Sequence, residues 1–344
     1  MSNQSSILFY EHGGEVRENV EYDFSVNTSP AGIAPKVKEA LVNAVSEAQR
    51  YPDTKNDKLK KLIAKREETH PLNIVLGNGA SELITAFFAA HRPKNVLLCA
   101  PGFYGYERAA KAIGAEISYY MLREEDEFEV KEDISDMLLS GMDAAVLINP
   151  GNPSGRLISP DILCKFTNKA ARLGIKVLLD ECFADFCEEK HSPLKEAYIL
   201  KAFTKYQALA GVRIGYLICP DKKEADKVEA VLPEWNISVF AQKAAEAALF
   251  SEEYYGRAKD IVKDGRAYLS RELFSLGMKV FPSDANFILF KSDIGDLKKR
   301  MLKKGILIRD CGNFTGLCEG FYRISVKTPE ENEVFIRILK EVLK

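Results

Sequence analysis

Between Asn95 and Cys219 short apolar runs alternate with longer stretches in which apolar residues recur every three or four positions. The runs NVLLCAP, AEISYYM, AAVLINP, IKVLLDE, AYILKAF and VRIGYLIC are each too short for a helix and rich in Val, Ile, Leu or aromatic residues, so they read as buried strands. Residues 104–113 and 160–173 read as helices. The second opens on Ser159 as N-cap, has Pro160 at its first helical position and stops at Gly174. Strand and helix in alternation predict a mainly parallel sheet covered on both faces, because each parallel crossover lays a helix over the sheet.

Past Pro220 the pattern changes. Helical stretches cover about 221–276, followed by the strand-like MKVFPSDANFILF, a helix, the strands GILIRD and FYRISV, and a last helix. Such a mix predicts a smaller α+β domain. With 344 residues the chain is too long for one small core, and the expected division is an N-terminal segment, 1–30, packed on the rest, a large α/β domain, 31–225, and a C-terminal domain, 226–344.

Composition narrows the function classes. Lys and Arg number 48 against 50 Asp and Glu, so no basic surface for nucleic acid is expected. The N-terminus lacks a basic start with a long apolar run, and no segment approaches ~18 uninterrupted apolar residues, so no membrane contact is expected and the protein is placed in the cytoplasm. The seven cysteines are an odd number and several sit inside apolar runs, where a thiol packs as a small hydrophobe. Cys182 with Cys187, and Cys311 with Cys318, lack CxxC spacing and an interleaved His, so no metal site is expected.

In open parallel sheets ligands bind beyond the carboxyl ends of the strands, which makes polar residues that close an apolar run informative. IKVLLDE ends on Asp180 and Glu181, AAVLINPGNPSG delivers Asn152, and AYILKAFTK delivers Lys205. Alone, Asp180 reads equally well as a turn acid, and Lys205 as a solvated surface lysine. Together they fit one chemistry, since a buried carboxylate keeps a pyridine nitrogen protonated and a lysine forms an imine with an aldehyde. In LGNGASELITAFFAA, Gly77, Gly79 and Ala80 precede a helical stretch with Ser81 in its first turn, so backbone N–H groups and the helix dipole face an anion.

These residues resemble the fold-type I pyridoxal-phosphate enzymes of the class I/II aminotransferase group. The stretch TKYQALAGVRIG, from Thr204 to Gly215, is similar to that group's lysine signature, and the companion motifs follow in the group's order across nearly the whole chain. The resemblance implies a large domain with a mainly parallel sheet, a smaller α+β domain, and pyridoxal 5'-phosphate as cofactor. It implies that Lys205 holds the cofactor as an imine with Thr204 beside it also in contact with the cofactor, that Arg213, Gly79, Ala80 and Ser81 bind its phosphate, and that Asp180 pairs with the pyridinium nitrogen. Asn152 would bond the ring hydroxyl and Phe103 stack on the ring. It further implies a homodimer with a shared active site, with Tyr51 of RYPD reaching the partner's cofactor phosphate. One departure is Ala202, where the group often has Ser or Thr, which removes a phosphate donor worth ~1.5–3 kcal/mol.

Within the group HGGEVRE, DFSVNTSPAG, GNGASE, DECFADF and ILIRDCGNFTGL resemble the threonine-phosphate decarboxylases of cobalamin biosynthesis, relatives of histidinol-phosphate aminotransferase. Phe183 stands where the aminotransferases generally carry a Tyr that donates to the ring oxygen. Arg323 in FYRISV matches the group's arginine for the substrate carboxylate, and Arg309 in ILIRDC a second anion arginine; His12 is a further candidate substrate contact. Guanidinium forks grip carboxylate and phosphate bidentately, so the expected substrate is a small phosphorylated amino acid. The expected reaction is decarboxylation of threonine or serine phosphate to an aminoalkyl phosphate, with amino transfer on histidinol phosphate as the alternative.

Overall fold

Thirteen strands carry the architecture of the computed structural model, which describes residues 19–188 and 194–344. In chain order they are β1 (Tyr22–Asp23), β2 (Ile74–Gly77), β3 (Asn95–Ala100), β4 (Glu116–Met121), β5 (Ala144–Ile148), β6 (Lys176–Asp180), β7 (Ala197–Ala202), β8 (Gly215–Ile218), β9 (Lys279–Val280), β10 (Phe287–Lys291), β11 (Ile306–Leu307), β12 (Arg309–Asp310) and β13 (Phe321–Ser325). Seven of them form one sheet in the order β2-β8-β7-β6-β5-β3-β4, in which only β8 is reversed. The class is therefore α/β with a mainly parallel sheet. β12-β13-β10-β9 form a separate antiparallel sheet, and β1 pairs in parallel with β11.

Side-chain alternation along the central strands explains the layering. Val146 and Leu178 face a cluster with Leu83, Phe87, Tyr106 and Tyr216, whereas Leu147 and Leu179 face one with Phe166, Phe281 and Phe321. Each fully buried ring of this kind costs ~3–5 kcal/mol to truncate to Ala. A third cluster, with Phe24, Ile288, Phe290, Tyr322 and Phe335, lies under the antiparallel sheet. The 24-residue helix Glu252–Ser275 joins them, since Tyr255 and Val262 pack in the first cluster and Leu269 and Leu273 in the third. The helix Val239–Leu249 packs on Pro35–Ala44 and Asp57–Arg66, on the side of the seven-stranded sheet.

One local expectation is corrected and two details are added. AEISYYM forms β4, but as an edge strand paired only with β3, so Glu116, Ser118 and Met121 are exposed rather than buried. β2, a wholly buried IVLG run, joins the sheet beside β8 although its four residues merge in the sequence with the glycine turn that follows. Ser159 occupies the N-cap of the helix Pro160–Arg172 with extended backbone, yet its side chain caps no amide. Gly174 ends that helix region at φ 71°, where a Cβ would be strained.

Register brings the strand ends into line. Ile148 pairs with Asp180, and Asp180 with Leu200, so the segments leaving β5, β6 and β7 emerge side by side. The N-terminal stretch reaches the same place, because Phe24 N–H donates to Leu307 O at 2.8 Å and Ser29 N–H to Lys205 O at 2.9 Å.

Candidate active site

Asp180 closes β6 and is 7% exposed. Its Oδ1 accepts from Cys182 N–H at 2.9 Å and its Oδ2 from the Tyr106 hydroxyl at 2.5 Å. Burial, reinforced by Asp180, pushes the Tyr106 phenol well above its ordinary range, so it stays a donor. Lys205 lies just past β7, with Nζ 5.4 Å from the centre of the Phe183 ring and no hydrogen-bond partner among the described residues. Burial first, then the positive charge of Arg323 and also that of Arg213, pulls its amine down to about 8. Phe183 itself packs edge-on to Phe287 with centroids 5.0 Å apart.

A close approach of three backbones builds the anion end. Gly79 caps the helix Ala80–His91 at φ 77°, and a Cβ there would overlap the Arg213 guanidinium. A Cβ on Gly215 would come within 3.1 Å of Ala80 N. Arg213 takes a positive φ of 64° and donates to Ala210 O at 3.0 Å, which leaves the rest of its fork facing the turn. Such a cradle of helix N-terminus, glycine and arginine fits a phosphate. Ser81 is exposed in the first helical turn and Thr204 is buried beside Lys205. Ala202 is buried opposite Gly215 in the β7–β8 register.

Arg309 and Arg323 sit directly opposite each other on β12 and β13, 7% and 6% exposed. Residues so paired put their side chains on one face, and like charges there repel. Neither has a carboxylate partner among the described residues. Arg323 donates to Asn152 Oδ1 and, at 2.9 Å, to Ser25 O, and it lies 5.3 Å from the centre of the Phe287 ring. Asn27, its amide oriented to offer oxygen, accepts from Arg323 Nε and Nη1 at 3.3 Å. Burial, together with Arg309, draws the Arg323 guanidinium down to about 10. Arg309 donates to Asp310 O at 2.5 Å and to Asn313 Oδ1 at 2.7 Å, and Phe314 lies 5.2 Å from its charge.

Phe103 and Tyr104 line one cleft with Arg309, Asn313 and Thr315. Tyr51 stands apart: it is 81% exposed, its ring lies 4.8 Å from that of Trp235, and no hydrogen bond joins it to the other candidates. His12 lies outside the described residues. Sequence reasoning passed over Tyr106, Asn27 and Asn313. Tyr106 carried a faint signal, three residues beyond Phe103 and so one helical turn away on the same face. A partly buried amine, a buried carboxylate, a phosphate cradle and two arginines with no ion-paired acid among the described residues suit imine chemistry on an anionic amino acid.

Residues 20–339 match the profile of the family described as aminotransferase class I and II. Threonine-phosphate decarboxylase of Salmonella typhimurium is 30% identical over 351 residues, spanning 96% of each chain. Among solved structures, the histidinol-phosphate aminotransferase of Clostridium acetobutylicum superimposes with a TM-score of 0.87 at 31% identity, covering 94% of this chain and 99% of the other. The L-threonine-O-3-phosphate decarboxylase of Porphyromonas gingivalis gives 0.84 at 27%, covering 93% and 98%. Among the described residues no helix is long and apolar enough to cross a membrane.

Proposed function

The chain belongs to the aminotransferase class I and II family, enzymes dependent on pyridoxal 5'-phosphate, and from that premise we propose that it decarboxylates threonine phosphate or serine phosphate to an aminoalkyl phosphate. The observation that carries the reading is the Arg309–Arg323 pair. Two buried guanidinium groups directly opposite each other, with no ion-paired acid among the described residues, are unfavourable until anions arrive, and a phosphorylated amino acid brings both a phosphate and a carboxylate. Phe183, which has no hydroxyl to offer the ring oxygen, supports decarboxylation over amino transfer, as does the likeness to the Salmonella decarboxylase. The likeness to the Clostridium aminotransferase favours a second reading, amino transfer from histidinol phosphate.

When bound, the cofactor supplies an aldehyde for amines and a protonated pyridine ring that draws electrons from the α-carbon. Lys205 would hold it covalently, Asp180 would face its ring nitrogen, and Phe103 would cover the ring. The phosphate would rest on the N–H groups of Gly79, Ala80 and Ser81, the Thr204 hydroxyl and Arg213, with Tyr51 contributed by a second copy of the chain. Asn152 spends Oδ1 on Arg323, which leaves Nδ2 to donate to the ring hydroxyl. Arg323 binds the substrate carboxylate and Arg309 its phosphate, and the two grips together orient the bonds at the α-carbon. Lys205, released as an amine when the substrate amine takes its place, would return a proton from Nζ to that carbon after carbon dioxide leaves.

The test is steady-state kinetics on threonine phosphate and threonine with wild type and Arg309→Met. We expect at least a hundredfold preference in kcat/KM for the phosphorylated substrate, roughly the ~3 kcal/mol of a charge-assisted grip, and its collapse in the variant. Equal use of both substrates by wild type would overturn the reading.

A further inference from the structure

Asp180 is a buried carboxylate with no Lys or Arg within ion-pair distance among the described residues. Its oxygens accept from the Cys182 N–H at 2.9 Å and the Tyr106 hydroxyl at 2.5 Å, and the Cys182 thiol, a weak donor, also bonds it. The titratable groups that face it are Tyr106 from the helix Gly105–Ala112, Glu181 and Cys182 from the turn after β6, and Lys205 from beyond β7. Of these only the phenol is a strong neutral donor in direct contact. The ring of Tyr106, 2% exposed, also packs edge-on to Phe103 with centroids 6.1 Å apart and planes at 86°. One side chain therefore meets both the candidate acid for the pyridine nitrogen and the candidate aromatic for the ring face.

We propose that Tyr106 is a positioning residue, whose hydroxyl holds the Asp180 carboxylate aimed so that the pyridine nitrogen of bound pyridoxal phosphate holds its proton. A buried carboxylate relies on fixed hydrogen bonds in place of water, and losing its strongest side-chain donor leaves its orientation toward the ring nitrogen less well held. The hydroxyl adds no charge of its own, so it strengthens Asp180 without competing with it for the ring nitrogen. The inference rests on the assignment of Asp180 to that nitrogen and is independent of which amino acid is the substrate.

The experiment uses pyridoxal phosphate labelled with 15N in the ring, bound to wild type, Tyr106→Phe, Tyr106→His and Asp180→Asn, with the nitrogen chemical shift followed from about pH 6 to about pH 9. Tyr106→Phe keeps the ring and its packing on Phe103 and removes only the donor. We expect the nitrogen to stay protonated throughout in wild type, to lose its proton within that range in Tyr106→Phe, and to recover in Tyr106→His, which returns an N–H donor. The dissociation constant for the cofactor should rise about tenfold in Tyr106→Phe, as for a lost hydrogen bond to a charged group. A role in packing alone would lower the melting temperature and leave the nitrogen titration unmoved. If Asp180→Asn strips the proton while Tyr106→Phe titrates as wild type, the role of Tyr106 is overturned and that of Asp180 stands. If Asp180→Asn also keeps the proton, the assignment of Asp180 fails and the inference with it.

Discussion

Replacing Arg323 with Met in the cofactor-free protein tests how the site prepares Lys205. An amine that titrates at about 8, as Lys205 does, is roughly one-quarter neutral at about pH 7.5, whereas one at its ordinary 10.5 is about one part in a thousand neutral. The difference is roughly 200-fold in available nucleophile. Burial is the first cause of the shift and the charge of Arg323 the next. At an effective dielectric of ~20 like charges repel by about 4 kcal/mol at ~4 Å and proportionally less further out; with burial the larger cause, removing Arg323 should return about one to two pKa units. The assay is trace acetylation across about pH 6 to 11, with the Lys205 peptide quantified by mass spectrometry and the exposed Lys222 as reference. Wild-type Lys205 should titrate near 8 and the variant one to two units higher, with Lys222 labelled alike in both proteins. A Lys205 that titrates at 10.5 in wild type, or that ignores the loss of Arg323, refutes the reasoning.

Two other perturbations probe the acid and the core. Asp180→Ala should still yield a borohydride-stable cofactor adduct on Lys205 by peptide mapping while turnover falls by about three orders of magnitude or more, because the electron sink fails without a protonated ring; near-normal turnover removes Asp180 from the mechanism. Burial holds His91 neutral down to about 4 against 6.5 for a free imidazole, with its Nε2 unpartnered and its side chain 3% exposed. The unfolded chain takes up the proton first, so stability is full above 6.5 and falls by about 3 kcal/mol as pH drops through 6.5 to 4. His91→Phe should flatten that part of the pH–stability curve in urea titrations, and an unchanged acid slope would show that the imidazole does not titrate this way.

The legible part of the fold was its centre. AAVLI, KVLLD and AYILKA are buried on both faces, so unbroken apolar runs marked β5, β6 and β7. For the same reason the polar residues that interrupt them, Asp180 and Lys205, pointed to a shared sheet edge. β4 carries a similar run, but its exposure depends on having no neighbour beyond it, which no local pattern records. The Tyr106–Asp180 contact spans 74 residues and arises only when the segment after β3 and the end of β6 meet at one edge of the sheet. Arg309 and Arg323 could each be singled out by motif, yet their direct opposition is a property of strand register.

Decarboxylation is the central claim, and the most direct measurement is carbon dioxide release from threonine phosphate labelled at the carboxylate, with enzyme and pyridoxal phosphate and no keto acid. A parallel reaction supplies histidinol phosphate with 2-oxoglutarate and measures glutamate. The account predicts labelled carbon dioxide in the first and little glutamate in the second, with both outcomes following from the Arg309–Arg323 pair and Phe183. Ready formation of glutamate without any release of carbon dioxide would contradict it and make the chain an aminotransferase.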